Sequence, residues 1–444
     1  MRRPLTIISL LLFAAGFAHG QSTDAPDQAE QIKALLARVA ELEKQVAEIK
    51  ALQVTGMTPP AKTMSPPVAQ PAEEHVVEAQ ATANASPQSK EQEAQTAQET
   101  ARQMERHYPS LQIRGFGDVD FAATDQKVTT SNSGFYLGEL DLHLASALSR
   151  KISYFAEITI DPFPNQYLIE VERSFIRYDY NDHFKISFGR YHTPISYWNT
   201  AFHHGAWLQT TITRPLMVQD GGVFTPIHLV GLLAEGSIPS GGLGLNYNVG
   251  IGNGRGSFIE RPGDAGDINN NRAWVAKIFA RPAKPYGLEL GGSVYRDKIT
   301  CTASGNCSSP LSADYREWIT DAYIVWTKGA PELLAEFENV NHQAVQSGRT
   351  ANSDAFYVQF AYRLPWFEKT VKPYYRFEYT HMPLSEQVFT YQPQVESIVG
   401  VRYDISSFAA FKVEYHNLAS QAAQGGHPPQ PALNGVFVQT AFTF

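Results

Sequence analysis

An all-β fold, a transmembrane antiparallel β-barrel of about 16 strands, is what this 444-residue sequence predicts. Three observations point to it. From residue 111 onward apolar and polar residues alternate with period two, in segments of about ten residues, longer than the usual five or six. Short turns alternate with long connections, and the strand count is even. The composition is 12% aromatic and only 18% charged, with 25 Phe and 21 Tyr, as suits strands that turn one face to lipid beneath two aromatic girdles. Eighteen strands is the alternative count. A mean hydropathy of -0.27 is compatible, because each strand shows lipid only half its residues. A secreted β-sandwich or propeller shares the alternation, but has no reason to end on an aromatic residue.

The chain opens with an export signal over residues 1–20. Arg2 and Arg3 form a basic head, Leu5 to Phe17 an apolar stretch too short to span a bilayer, and Ala18-His19-Gly20 a small-x-small cleavage site. No lipobox cysteine accompanies it, so no lipid anchor is expected.

Residues 21–53 predict a coiled coil. Ile32, Leu35, Val39, Leu42, Val46 and Ile49 recur at alternating steps of three and four, an a/d seam over nearly three heptads. Leu36 widens the seam and favours three strands over two, with a dimer still open. So short a helix has little stability alone and needs a partner. Residues 54–107 change to a Pro/Ala/Gln/Glu-rich composition, which reads as an extended linker.

The barrel is expected over residues 108–444. Strands are predicted near 111–122, 134–148, 152–161, 168–180, 184–191, 222–237, 243–252, 271–281, 287–297, 314–328, 332–341, 353–364, 371–382, 393–404, 408–417 and 435–444. Tight turns join them at one end and loops of about 10 to 30 residues at the other. If Leu140, Leu142 and Leu144 face lipid, then Glu139, Asp141 and His143 face the lumen. The same alternation turns Glu157, Arg173, Arg177, Lys185, Lys277, Arg376, Glu378, Arg402, Asp404, Lys412 and Glu414 inward. A one-residue slip would reverse each assignment.

The longest connection, His192 to Gly221, carries Ile195, Tyr197, Trp198, Phe202, Trp207, Leu208 and Ile212. That is too apolar for a loop in water. Folded inward it would form a constriction and offer His192, His203, His204 and Arg214 to the lumen. Histidines titrating near pH 6.5 would then make ion flow pH-dependent. Packing on a neighbouring subunit is the alternative.

Other chemistry finds little support. Three histidines could bind zinc, but their spacing fits no helical pair or finger, so no metal is expected. Gly250-Ile251-Gly252-Asn253-Gly254 lacks the following helix of a phosphate loop, and neither G-x-S-x-G nor H-E-x-x-H occurs. No catalytic residue and no cofactor are expected, although a scattered Ser/His pair stays open. A net charge of -8 speaks against nucleic acid. Cys301 and Cys307, close together in an exported chain, predict a disulfide that stiffens a loop tip.

With these residues in place the sequence resembles a family. An export signal, a short coiled coil, a linker and a barrel ending in Phe look like trimeric outer-membrane porins. Within those, the barrel is similar to the phosphate-selective porin O and P group. Phe188-Gly189-Arg190-Tyr191-His192-Thr193-Pro194, Tyr247 to Gly254 and Gly400-Val401-Arg402-Tyr403-Asp404 carry the likeness, over roughly residues 111 to 444. The resemblance implies a homotrimer in the bacterial outer membrane, with a periplasmic N-terminal segment, passing small hydrophilic solutes by passive diffusion. Outer-membrane lipid and the barrel assembly machinery, which would read Phe442 and Phe444, are the implied partners, with peptidoglycan a further candidate. Phosphate does not carry over, because the longest loop has Arg214 and no lysine and the barrel is slightly acidic. A second reading, of another class, is a structural barrel tethering the membrane to the cell wall or a periplasmic partner through its coiled coil.

Overall fold

The computed structural model describes residues 108–444, apart from 126–132, 164–165, 220–223, 303–306, 308–312, 328–329, 390–392 and 421–431. The export signal, the coiled-coil residues Ile32, Leu35, Val39, Leu42, Val46 and Ile49, and the linker lie outside the described residues.

Sixteen strands form one closed antiparallel barrel. They are β1 (Ser110–Thr124), β2 (Gly134–Ala147), β3 (Ile152–Phe163), β4 (Gln166–Asn181), β5 (Phe184–His192) and β6 (His228–Ile238). There follow β7 (Leu245–Asn253), β8 (Ala273–Ala280), β9 (Leu288–Cys301), β10 (Ala313–Trp326) and β11 (Pro331–Ala344). The circuit ends with β12 (Thr350–Tyr362), β13 (Val371–His381), β14 (Gln394–Ser406), β15 (Ala409–Ser420) and β16 (Leu433–Thr443). Each strand pairs with its sequence neighbours, and β16 closes onto β1 from Phe116↔Thr443 to Thr124↔Gly435. Closure leaves no unpaired edge.

The period-two pattern is what makes these segments strands. In β10, Tyr315, Glu317, Ile319, Asp321, Tyr323 and Val325 are buried inside, while Trp318 and Ile324 are exposed outside. Exposed aromatic side chains gather at the short-turn rim, among them Tyr180, Tyr286, Trp366, Phe367, Phe408 and Phe444.

Three expectations need correction. The outward connections are not all long: β3 ends at Phe163 and β4 begins at Gln166, and β11 ends at Ala344 with β12 beginning at Thr350. The strands there simply extend further, with Pro162↔Tyr167 and Gln343↔Thr350 paired. The sixth strand starts at His228 rather than 222, because Phe224, Thr225 and Ile227 are buried as part of the preceding loop. Finally, β4 breaks its period. The β3–β4 register jumps from Glu157↔Arg173 to Ile158↔Val171. Glu172 is therefore a bulge residue, and its side chain joins Arg173 inside.

Candidate functional site

The connection after β5 fills the middle of the barrel. Ile195, Trp198, Leu216, Met217, Val218, Phe224 and Ile227 are all buried, and all but Leu216 and Ile227 join inward wall residues such as Tyr323 and Tyr357 in one apolar cluster. Burying a large apolar side chain contributes about 1.5–3 kcal/mol, so the loop has a driving force to leave water. Trp198 meets the ring edges of Phe202 at 5.1 Å and Tyr357 at 5.8 Å, and the Arg376 guanidinium lies 5.6 Å from its ring centre.

Polar contacts fix where the loop sits. A one-turn helix, α1 (Tyr197–Ala201), begins at Ser196, whose φ of 62° is strained for a side-chain-bearing residue. Wall residue Glu336 holds that start by accepting the Ser196 hydroxyl at 2.7 Å and the N–H groups of Tyr197 and Trp198 at 2.7 and 2.9 Å. Asn199 donates to the carbonyls of both Thr193 and Ile227, tying the two ends of the loop together.

The wall charges supply the rest. Arg376 donates to Thr211 Oγ1, Thr213 and the Arg214 carbonyl. Arg402 donates to the carbonyls of Trp207 and Gln209, Lys412 to those of Ala206 and Thr211, and Lys277 to that of Ser196. Glu378 and Glu414 accept the N–H groups of Leu216 and Ile212. On the opposite wall Glu139 accepts from His204 Nδ1 at 2.9 Å and lies 3.6 Å from Arg214. The loop thus crosses the lumen from β2 and β4 to β11 and β13–β15. Two further connections pack onto it: Arg255 donates to the Phe224 carbonyl at 2.8 Å, and Phe389 stacks on Phe224 at 5.5 Å.

Two cavities flank it. One, of about 650 Å³, opens toward the short-turn rim and is lined by Arg173, Lys185, Glu235, Lys277, Arg281 and Glu289 among others. The other, of about 690 Å³, lies toward the long-loop rim and includes Asp118, Asp120, Glu139, His203, His204 and Arg214. Pro194, Tyr197 and Thr200 face the first, and Phe202 to Ala206, Gln209 and Ile212 to Arg214 face the second. The loop is a septum between them.

The fold is matched among solved structures. The anion-selective porin from Comamonas acidovorans aligns at 11% identity and a TM-score of 0.55, covering 76% of this chain and 99% of the other. The outer membrane channel DcaP of Acinetobacter baumannii aligns at 12% and 0.51, covering 76% and 97%. OmpT of Vibrio cholerae, solved in a trimer form, aligns at 13% and 0.50, covering 76% and 99%. The fold is that of a porin-like barrel. No family model matches the chain, and no curated protein matches it.

Within this porin-like barrel the inward alternation puts Glu139, Asp141, His143, Glu157, Arg173, Arg177, Lys185, Lys277, Arg376, Glu378, Arg402, Asp404, Lys412 and Glu414 on the luminal side. Their roles differ from a solution-facing lining. Arg376 and Lys412 are 0% exposed and Glu414 1%, because the septum covers them. His143 bonds to Glu157 and lies 3.0 Å from Asp141, with Arg173 on Glu157. Arg177 pairs with Asp179 and Glu235, and Arg402 with Asp404. Lys185 lines the cavity toward the short-turn rim.

His203 and His204 are buried too, so the expected pair of imidazoles titrating together near pH 6.5 is not what forms. Burial, with the nearby charges of His204 and Arg214, pushes His203 well below the usual imidazole range. Burial works the same way on His204, but the Glu139 and Glu172 carboxylates outweigh it and hold it well above.

Sequence reading missed Glu336, Glu172 and His228. Glu336 follows from strict alternation in β11, and nothing marked it as an anchor. Glu172 was hidden by the bulge. His228 was legible in principle: it pairs directly with His192 across β5 and β6. Cys301 and Cys307 are joined by a disulfide, with Cα atoms 5.5 Å apart.

Proposed function

We propose that this chain is an outer-membrane porin, passing small hydrophilic solutes by passive diffusion through a lumen narrowed by the septum of residues 193–219 and 224–227. One observation carries the reading. A porin-like barrel with an apolar outer face holds, across its middle, a long loop with polar cavities on both sides. A purely structural barrel has no need of a septum anchored by this many wall charges.

The phosphate-selective likeness is not carried forward. Lys277, Arg376, Arg402 and Lys412 spend donors on loop carbonyls, so they are not a free cationic ladder for an anion. Fixed charges of both signs line each cavity, which suits weak discrimination by charge and size. The assembly we propose is a homotrimer in the bacterial outer membrane, its heptad segment on the periplasmic side.

Purified full-length protein in a planar bilayer tests this. Discrete, ohmic conductance steps are expected, larger when the septum is shortened. Absence of steps from protein that is folded and oligomeric would overturn diffusion and leave the tethering reading. Deleting residues 21–53 should lower the oligomer's thermal stability, and an unchanged oligomer would give the heptad segment another task.

A further inference from the structure

We infer that His192, His203, His204 and His228, together with the Glu172 carboxylate, form a binding site for a divalent transition-metal ion, for which Zn2+ is the probe. The site sits where the septum meets the β4–β6 wall and does not depend on whether the barrel conducts.

The convergence comes from four separate stretches of chain. His192 is the last residue of β5 and His228 the first of β6, paired directly across the sheet, so both rings point inward. His203 and His204 come up from the loop just after α1, and Glu172 comes from the β4 bulge. One ligand nitrogen from each of the four rings lies within 4.8 Å of the others. Ring centres are 4.2 Å apart for His203 and His204, 4.5 Å for His192 and His203, and 5.2 Å for His192 and His228.

Glu172 Oε2 stands at the middle of this group. It is 2.7 Å from His228 Nε2, 3.2 Å from His204 Nε2 and 3.8 Å from His203 Nε2. Ligand atoms held at about 2.0–2.1 Å by a tetrahedral zinc are about 3.3 Å from one another. The donor atoms therefore already lie near the spacing an ion would impose.

A second observation points the same way. Nε2 of His192, of His204 and of His228 are buried and face only carboxylate oxygens, Glu157 at 3.5 Å for His192 and Glu172 at 3.2 and 2.7 Å for the other two, with no aligned hydrogen bond among these contacts. Three such nitrogens around one point are unusual, and a single Lewis acid would satisfy all of them. The far side of His204 is prepared for that role, because Nδ1 bonds to Glu139. Carboxylate–imidazole pairing of this kind fixes the ring and leaves Nε2 free for metal.

On loading, Glu172 turns from His204 Nε2 and His228 Nε2 to the ion, the protons on those nitrogens leave, and one further contact changes. His228 Nδ1 accepts from Arg190 Nη2 at 3.2 Å, which leaves the ring proton on Nε2. Binding moves that proton to Nδ1, and Arg190 keeps Asp264 at 2.6 Å as its partner. Four imidazoles and one carboxylate select zinc, copper or nickel over magnesium or calcium, which prefer oxygen. The bound ion would cross-link the septum to the β5–β6 wall.

The test uses untagged full-length protein, folded in detergent, stripped with chelator and titrated with Zn2+ by calorimetry. One equivalent per chain is expected, with affinity at least tenfold weaker in the H203A/H204A double variant. His228→Gln, which keeps a polar side chain in place, should weaken binding comparably, and it serves if the double variant does not fold. Co2+ bound to the parent should show the visible absorption of nitrogen ligation. No saturable Zn2+ binding by folded parent protein overturns the site. So does parent-like affinity in either folded variant, which would place the ion elsewhere.

Discussion

Glu336 Oε1 accepts the backbone N–H of Trp198 at 2.9 Å, joining the wall of the barrel to the most deeply buried ring of the septum. The same carboxylate takes the Tyr197 N–H and the Ser196 hydroxyl. Glu336→Ala would leave four donors without an acceptor, these three and the Tyr357 hydroxyl on β12, at about 1–3 kcal/mol for each unsatisfied group. Three of the four donors belong to the septum, and none to the strand ladder. Single-channel conductance should rise and protease cleavage within residues 193–219 should accelerate, while the folded barrel persists. Parent-like conductance from a folded Glu336→Ala protein would mean that other anchors suffice.

Arg376 offers a harsher test. Its guanidinium is fully buried, donates to the loop and pairs with Glu378. Arg376→Met strands the Glu378 charge in the interior, and breaking a buried pair this way costs about 3–5 kcal/mol. Thermal unfolding in detergent should show the order parent, then Arg376→Lys, then Arg376→Met. An unshifted midpoint for Arg376→Met would contradict the anchoring role.

The connection between β13 and β14 should undock in acid. Burial works against the Glu386 charge, but His342 and the N–H groups of Val388 and Phe389 outweigh it and hold the carboxyl below its ordinary value of 4.5. Ser353 also donates to it, and His342 is shared with Glu317, which pairs with Arg255. A depressed folded pKa gives stability that is complete above 4.5 and is lost as pH falls through the folded value. Exchange at the Val388 amide should therefore, after correction for intrinsic rates, lose protection only below pH 4.5. Glu386→Gln should remove that acid dependence; if it persists, the transition belongs to other groups.

The β1–β16 seam is packed by glycine against aromatic. A Cβ added at Gly115 would fall within the ring of Phe444, and one at Gly117 would come within 2.9 Å of Phe442. Gly115→Val should destabilise by about 1–3 kcal/mol through overpacking. Combined with Phe444→Ala it should cost less than the two single changes together, as a double-mutant cycle of unfolding would show. Simple additivity would mean that the ring and the glycine are not in energetic contact.

How far the sequence reached depended on what physics each residue obeyed. Alternation in β10 or β12 is dictated by having two different solvents on two faces, so the strands and their inward sides were legible within a few residues. The septum was legible because Ile195 and Trp198 have no business in water. What failed was local irregularity. The bulge at Glu172 breaks the period without a Gly or Pro to mark it. Phe224 and Ile227 look like the start of a strand because burial in a loop and burial in a wall demand the same side chains. The inward charges were found, yet their work was not. Whether Lys412 meets solution or the Thr211 carbonyl is decided by a loop some two hundred residues away.

That same closed circuit sets an order of events in time. Asn434 bonds to Asp125 across 309 positions, and the whole β1–β16 ladder is of this kind. Contacts so distant along the chain form slowly, because loop closure must precede their reward. Until they form, β1 and β16 are open edges offering unpaired N–H and C=O groups to any neighbouring strand. The last step of maturation is therefore also the most exposed to error, and a nascent chain of this design needs shelter until its two edge strands find each other.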